Sequence, residues 1–440
     1  MVNDQTPGSA IGRGLRLGAL GFRLTGSYLG YQLQNLFLGP EARAEKRRAF
    51  RRKTSRQFRQ ELESLKGPLM KMGQVLSMQD HLLPAELVEE MTNLQMQAPA
   101  MHPTLARAQF KAACGKYPEE MFREFEPEAF AAASLGQVHR AVTKRGEPVV
   151  VKIQYPAMRT AIKNDFALVR SATLGGRLTG HIPKAVLDEV EQGVLKETDY
   201  LNEARNIEFF REKLNPLDYV RVPKVFWDLT TERVLTMSRL EGVPLSPFLA
   251  CKPSAPLRNL LGRRLLELFL FQIHQVGAFH ADPHPGNYLF SNEASISLVD
   301  FGCVKVFTPE FAELIHCFME RAWAKGEANY ERMMRLLWGP AVSPQSAEAR
   351  GILDAEIELF NVVFPPPETG RRLVAFNGRR LFELGLRIRK DCLLAKLARP
   401  EFPFYARAEL GLYNYLRQLG AKFDTVALLQ ECADARLRGR

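Results

Sequence analysis

A short polar segment limits the possible folds of this 440-residue chain more than any other part of the sequence. Residues 280–287 read His-Ala-Asp-Pro-His-Pro-Gly-Asn, and the two prolines rule out a regular helix there. An apolar stretch, a turn at residues 291–293, a second strand-like stretch and Asp300-Phe301-Gly302 follow. The pattern predicts a polar loop, then a β-hairpin, then a second loop that begins with a carboxylate.

Asp282, Asn287 and Asp300 carry the types of group that phosphoryl transfer from ATP requires. One carboxylate orients or deprotonates the nucleophile, while a carboxamide and a second carboxylate hold Mg²⁺ against the phosphates. The spacing from Asp282 to Asn287 equals that of the kinase catalytic loop, and Asp-Phe-Gly follows one hairpin downstream as in kinases. We therefore predict that Asp282 is the base and that Asn287 and Asp300 are metal ligands.

The histidines of this segment permit a second interpretation, because His280 and His284 have the spacing of a helical zinc pair. The prolines between them prevent that helix, and Ala281 stands where the zinc motif has glutamate. We therefore expect His280 to support the catalytic loop.

Lys152 lies in the β-branched run Val149–Ile153, after a turn at residues 144–147 and a strand over 137–142. A kinase keeps its phosphate-binding lysine at this place. A lysine in a strand is more often an edge residue that faces solvent. The expected helix downstream, with Glu197, Asp199 and Glu203, favours the functional interpretation because it offers a carboxylate to the lysine.

An alanine-rich segment precedes this hairpin, where a kinase has its glycine-rich loop. Alanine lacks the freedom at positive φ that glycine provides, so nucleotide binding should be constrained differently from that in an ordinary protein kinase. We predict that the segment contacts the nucleotide through Ala131, Ala132, Ala133, Ser134, Leu135, Gly136 and Gln137.

With these motifs in order, the chain resembles the UbiB family of atypical kinase-like proteins, whose members support ubiquinone (coenzyme Q) biosynthesis. The segment 67–74 matches the family's KxGQ signature through Lys71, Gly73 and Gln74. Glu197 and Asp199 match its ExD signature, and residues 151–156 look like its lysine strand.

The resemblance implies an α+β fold, a two-lobed atypical protein-kinase-like architecture with a helical extension over the active site and an all-helical C-terminal lobe. In it Lys71 would pair with Glu197, Glu203 would hold Lys152, and the strand that ends at Met237 would contact the adenine. The expected division is a basic arm (1–60), the KxGQ extension (61–117), a kinase-like N-lobe (118–245) and a C-lobe (246–440).

The implied activity is binding and hydrolysis of ATP (or binding of ADP) with Mg²⁺, or phosphorylation of a small or lipid-like molecule, because the extension would block peptide access. One alternative is a phosphotransferase of the aminoglycoside or choline kinase type, which the KxGQ segment and the alanine-rich loop disfavour. A second alternative is a non-catalytic, nucleotide-gated lipid-binding module.

The net charge of +11 is concentrated near the N-terminus, since residues 1–60 hold twelve basic and three acidic side chains. A basic arm on a nearly neutral body favours attachment to anionic membrane lipid. Nucleic acid is not an expected partner, because aromatic residues for base stacking are not interleaved with the basic ones. Expected partners are quinone precursors or other ubiquinone-biosynthesis proteins; a homodimer is left open.

The six cysteines are widely spaced and form no CxxC motif, which is typical of an intracellular chain with reduced thiols. No apolar run approaches the roughly 20 residues of a membrane span. We expect a cytoplasmic protein attached peripherally to the inner face of a membrane, on the mitochondrial matrix side if the source is eukaryotic.

Overall fold

The computed structural model describes residues 101–133, 135–174, 184–340, 342–370, 373–376, 381, 383–384, 399 and 401–438. They form two compact units. The first contains the described residues up to Asn202 together with Val225–Ser238, and the second contains Glu203–Lys224 and the described residues from Arg239 onward. The basic arm and the KxGQ segment lie outside the described residues, and the boundaries expected at residues 60, 117 and 245 stay predictions.

An antiparallel sheet is the centre of the first unit, with the order β1-β3-β4-β6 and with β2 paired to one end of β3. β-Branched residues dominate β4, and six of its seven residues are buried in an unbroken run, a pattern that suits a central strand. The strands are β1 (Phe122–Phe125), β2 (Ala131–Ala133), β3 (Gly136–Thr143), β4 (Pro148–Gln154) and β6 (Val234–Ser238).

Helix α1 supplies the apolar cover of this sheet. His102 caps its first turn, since the imidazole Nδ1 accepts from Thr104 N, and Gly115 ends it in the left-handed conformation with φ of 77°. Phe110 of α1 is fully buried and packs against Phe122, with ring centroids 5.9 Å apart. The helices whose residues lie wholly in this unit are α1 (Pro103–Cys114), α2 (Pro118–Met121), α3 (Met158–Leu174) and α4 (Lys184–Lys196).

The second unit is mainly helical and contains three small sheets. Strand β7 pairs with β10, β11 pairs with β12, and β9 lies between β8 and β5. These strands are β5 (Val220–Arg221), β7 (Ala278–His280), β8 (Tyr288–Phe290), β9 (Ile296–Leu298), β10 (Val304–Val306), β11 (Leu373–Ala375) and β12 (Lys422–Asp424).

Aromatic packing around Tyr405 joins the helices of this unit to strand β7. Its ring contacts those of Phe269, Phe279 and Phe311 at centroid distances of 5.8, 6.3 and 5.8 Å. The helices are α5 (Tyr200–Lys213, whose first three residues belong to the first unit), α6 (Leu245–Ala250), α7 (Ala255–Phe271), α8 (Pro309–Met319), α9 (Glu327–Trp338), α10 (Ala347–Val363), α11 (Phe402–Leu419) and α12 (Thr425–Arg438).

The α+β class is confirmed, and so are the predicted strands around Lys152 and the hairpin β8-β9. Two details differ from the expectation. The lobe expected to be all-helical is mainly helical and also carries short strands, among them β11 and β12, which pair over three residues each. Glu197 and Asp199 do not share a helix with Glu203, because α4 ends at Lys196 and α5 begins at Tyr200.

No helix within the described ranges combines the length and the hydrophobicity that crossing a membrane requires.

Candidate active site

The segment 280–287 enters from strand β7 and is held at its start by the preceding helix. Helix α7 ends in a π-helical turn, Gln272–Val276, and Gly277 then reverses the chain with φ of 68°. The Gln272 Oε1 accepts a hydrogen bond of 2.8 Å from His280 N, and Ala281 N donates to Cys303 O. The backbone at Asp282 is thus anchored on both the α7 side and the β10 side.

The side chains of Asp282 and Asn287 contact each other directly. Asn287 Nδ2 donates to Asp282 Oδ2 at 2.9 Å, and a 3₁₀ turn over Pro285–Asn287 brings the amide back toward the carboxylate. Pro285 begins this turn because its fixed φ suits a first helical position. The sequence spacing thus becomes a spatial pair, with the carboxylate oriented by the carboxamide.

A second side chain binds the other oxygen of this carboxylate. Arg407 of helix α11 places Nη2 2.5 Å from Asp282 Oδ1, and the two side chains are 25% and 22% exposed. Charge-assisted bonds of this kind favour the ionised carboxylate and fix its orientation.

His280 connects the catalytic loop to the Asp-Phe-Gly segment, as expected for a supporting residue. Its Nε2 is hydrogen-bonded to the backbone carbonyl of Asp300, and its ring lies edge-on to Phe301 with centroids 5.5 Å apart. The side chain is 3% exposed, so this contact is made inside the protein. Solvent exposure and geometry both argue against a role for His280 in a zinc pair.

Asp300 begins the second loop, and its carboxylate shapes the local turn. The Asp300 Oδ1 accepts from Gly302 N at 2.9 Å. Phe301 is fully buried against Phe210, and its carbonyl accepts from the Asn206 side chain at 2.9 Å. Helix α5 therefore fixes the backbone that presents the Asp300 side chain.

The side chains of Asn287 and Asp300 suit Mg²⁺ because both offer hard oxygen donors. Magnesium is usually held by one or two protein oxygens, with phosphate oxygens and water completing its shell. Within the described part of the chain, no group of three or more His, Cys, Asp or Glu side chains is arranged to hold a metal ion.

In the first unit, Lys152 lies on the central strand β4 and faces inward. It is 5% exposed, and its Nζ is 5.0 Å from the ring centroid of Tyr200. The solvent-facing edge position is therefore excluded. Glu203 is 2% exposed but belongs to the second unit, and its pairing with Lys152 stays a prediction.

The alanine-rich segment is a strand followed by a turn. Ala131, Ala132 and Ala133 form β2 and pair with β3, while Ser134 lies outside the described residues. Ala132 is exposed and Leu135 is buried.

Gly136 and Gln137 have structural contacts that their sequence context did not indicate. A β-carbon at Gly136 would lie 2.3 Å from the carbonyl oxygen of Ile153, so only glycine permits this approach of β3 to β4. The Gln137 side chain is fully buried and bonds His139 Nε2 at 2.9 Å. Its Oε1 also accepts from Met101 N, so both ends of the side-chain amide are used inside the protein, and the nucleotide contact of Gln137 stays a prediction.

The ExD residues lie in the short connection between α4 and α5. Asp199 caps α5, since its Oδ1 accepts from Leu201 N and Asn202 N, both at 3.1 Å. Thr198 is buried, and its carbonyl accepts from Gln154 of strand β4 at 2.9 Å. Polar side chains that bond their own backbone in this way end one helix and begin the next. Lys71, Gly73 and Gln74, the expected partners, lie outside the described residues.

Met237 lies in strand β6, directly opposite Val150 of β4, and is 5% exposed. Its side chain is buried within the protein. The predicted contact of Met237 with adenine stays a prediction.

Three residues of the site were missed by sequence reasoning: Arg407, Gly411 and Tyr415 of helix α11. They follow the catalytic loop by more than 120 residues, and single-sequence patterns carry no signal for such contacts. Their spacing of four would have placed them on one helix face, but it could not have identified what that face contacts.

A family model described as the ABC1 atypical kinase-like domain matches residues 93–334, more than half of the chain. A UbiB protein of Azotobacter vinelandii, named a probable protein kinase, is 33% identical over 313 residues, covering 68% of this chain and 56% of that protein. The chloroplastic protein ACTIVITY OF BC1 COMPLEX KINASE 7 of Arabidopsis thaliana is 36% identical over 277 residues, covering 60% of this chain and 39% of that protein.

A solved structure has the same fold: a Mycobacterium tuberculosis protein in complex with erythromycin has a TM-score of 0.57 and 24% identity, covering 88% of this chain and 98% of that one. The matches to the curated relatives span between 36% and 70% of their length, and no more than 56% for the two relatives named above. The matched domain, these relatives and the shared fold identify the chain as a member of the UbiB family of proteins with an ABC1 atypical kinase-like domain.

Proposed function

We propose that this chain binds ATP with Mg²⁺ and works as a kinase-like ATPase or phosphotransferase that supports ubiquinone biosynthesis at a membrane. The observation that carries the proposal is the Asp282 carboxylate, which Asn287 orients at 2.9 Å in the loop that His280 fastens to Asp300. The names of the curated relatives, a probable protein kinase UbiB and an ACTIVITY OF BC1 COMPLEX KINASE, support a kinase-like activity.

In the proposed reaction the chain's own groups orient the nucleophile and the phosphates. Lys152, inward-facing on β4, would bind phosphate oxygens of the nucleotide. Asp282 would accept the proton of the attacking hydroxyl or water. Asn287 and Asp300 would hold the magnesium, which when bound neutralises the charge of the phosphates.

Partners and location belong to the same proposal. The basic arm would bind anionic lipid, since each Lys or Arg near such a surface contributes about 1 kcal/mol. The phosphoryl acceptor would be water or a small, lipid-like molecule such as a quinone precursor.

Asp300→Asn tests the proposal, because Asn Oδ1 can still accept from Gly302 N and the loop should keep its shape. We expect magnesium-dependent ADP release from ATP to fall at least 100-fold, since the lost carboxylate is a metal ligand. Asp218→Asn, an exposed aspartate of the same unit, is the matched control and should retain full turnover.

The cellular arm of the test compares quinone levels in a bacterial strain that lacks its own UbiB protein. We expect the wild-type chain to restore ubiquinone and Asp300→Asn to leave its precursors accumulated. Normal ubiquinone with Asp300→Asn would contradict the catalytic proposal and favour the nucleotide-gated lipid-binding module. Phosphorylation of an aminoglycoside or choline by the purified chain would favour the small-molecule phosphotransferase.

A further inference from the structure

One face of helix α11 contacts three consecutive residues of the catalytic loop. Arg407 binds Asp282, Gly411 packs on Pro283, and the hydroxyl of Tyr415 donates to the carbonyl oxygen of His284 at 3.0 Å. The helix residues are four apart, so they form one line of side chains along the helix. A rigid element therefore meets three consecutive residues of the loop.

The contact with Asp282 differs from the other two because it involves the predicted base itself. Arg407 holds Oδ1 and Asn287 holds Oδ2, so that the rotation of the carboxylate is fixed from both sides. A guanidinium group is planar and always charged, and it is fixed here to a helix of 18 residues. Both properties suit a group that holds a reacting carboxylate in one orientation.

We propose that Arg407 is a positioning residue for phosphoryl transfer, acting through Asp282. This inference rests on the proposed function. In the reaction, the nucleophile's oxygen bonds to the γ-phosphorus as the bond to the bridging oxygen breaks, and ADP leaves with the electron pair. The proton of the nucleophile passes to Asp282, whose orientation Arg407 fixes.

The proposal separates chemistry from nucleotide binding. Asp282 is expected to contact the nucleophile, whereas Lys152, Asn287 and Asp300 are expected to contact the nucleotide and its metal. Loss of Arg407 should therefore lower kcat and leave the KM for ATP nearly unchanged. A displacement of about 1 Å at a reacting group can lower a rate about 100-fold.

The test compares Arg407→Ala and Arg407→Lys with Arg417→Ala in the full-length chain. Arg417 is the matched control because it lies on the same helix and its exposed side chain bonds Asn414 on the surface. We expect a roughly 100-fold lower kcat for Arg407→Ala with a KM for ATP within about threefold of wild type, and partial recovery in Arg407→Lys. A kcat for Arg407→Ala within twofold of the control, or a loss confined to KM, would overturn the proposal.

A double mutant distinguishes positioning from general loss of structure. If Arg407 acts through Asp282, adding Arg407→Ala to Asp282→Asn should not lower the residual rate further. An additional tenfold loss in the double mutant would show that Arg407 acts elsewhere, and the proposal would be abandoned. Thermal melting of each variant reports whether it is folded at the assay temperature.

A wild-type chain without nucleotide turnover would refute the proposed function but not yet the pairing of Arg407 with Asp282. Urea unfolding of Arg407→Ala, Asp282→Ala and the double variant that combines these two changes then measures the coupling of Arg407 with Asp282 directly. A coupling of tenfold or more in the unfolding equilibrium supports the positioning contact. Additive effects would overturn it.

Discussion

Gly411 of helix α11 lies directly on Pro283 of the catalytic loop, with no room for a side chain between them. A β-carbon at position 411 would lie 2.2 Å from Cβ of Pro283 and 2.6 Å from its Cγ. The helix backbone can therefore approach the loop only because residue 411 is glycine. This contact sets how closely Arg407 and Tyr415 approach the same loop.

Gly411→Ala should destabilise the protein by about 1–3 kcal/mol, because the helix or the loop must move to admit the methyl group. Turnover should fall as well, since Asp282 is the neighbour of Pro283. Urea unfolding and ATPase assays measure the two effects. Gly351→Ala on helix α10 is the matched control: nothing lies within 4 Å of its β-carbon position, so stability should be unchanged or rise by up to about 1 kcal/mol.

Asp199→Ala should lower the free energy of unfolding by about 1 kcal/mol, because the Asp199 carboxylate caps two backbone amides at the start of α5. Asp199→Asn should lose much less, since asparagine is an equally good cap. Urea denaturation of the two variants measures the difference. Equal losses in both would mean that the charge of Asp199, and not the cap, carries its contribution.

Ala132→Gly should change the affinity for ATP or ADP by about threefold or more, because alanine-to-glycine differences in chain freedom are worth about 0.5–1 kcal/mol. Ala132 is exposed on β2, opposite Gln137, at the entry to the alanine-rich turn. Nucleotide titration measures both affinities. Ala157→Gly is the control, at an exposed residue with φ of 52° that glycine also adopts, and should change neither. Unchanged affinities in Ala132→Gly would contradict a phosphate-binding role for this turn.

The stability of the second unit should depend on pH through a buried pair of carboxyl groups, Glu409 and Glu356. Burial raises the pKa of Glu409 to about 7, and burial together with the nearby Glu409 raises the pKa of Glu356. The hydroxyl of Tyr413 donates to Glu409 at 2.7 Å, which favours the ionised form and only partly offsets the burial. The folded protein therefore keeps a proton on this pair that the unfolded chain loses above about pH 4.5.

Because the folded state binds more protons between about pH 4.5 and 7, stability should fall as the pH rises through this window. The expected slope is roughly 1.4 kcal/mol per pH unit for one proton. Glu409→Gln keeps an oxygen that can accept from Tyr413 and removes the proton, so its stability should vary less with pH and exceed that of wild type at pH 8. Urea unfolding at pH 5, 6, 7 and 8 measures this, and parallel curves for the two proteins would contradict it.

Local patterns predicted the elements around the site well. The run Val149–Ile153 is apolar except for Lys152. The strand that this run predicts, the turn before it and the partner strand all form where the pattern indicated. The hairpin after Asn287 and the loops at its ends were equally predictable, because prolines and turn residues fix them within a few positions.

Contacts between distant segments could not be predicted. Nothing in the sequence around Arg407 shows that it binds a carboxylate 125 positions earlier. The break at Thr198 was missed because it depends partly on a distant contact: the carbonyl of Thr198 accepts from the side chain of Gln154, 44 positions earlier, while its hydroxyl donates to Leu195 O. The short strands β11 and β12 were missed for a related reason, since a strand of three residues has too little alternation to recognise.

Because of the π-helical turn Gln272–Val276, the position of the catalytic loop depends on the number of residues before it as well as on their identity. Such a turn holds one residue more than an α-helical turn would. Deleting a single residue there would return the turn to α-helical geometry and displace Gln272, whose Oε1 accepts from His280 N. Asp282 and Asn287 both lie after the turn and would keep their mutual hydrogen bond. Homologues with a shorter connection at this point should therefore lack the bond that ties the start of the catalytic loop to α7, and should hold His280 by another contact.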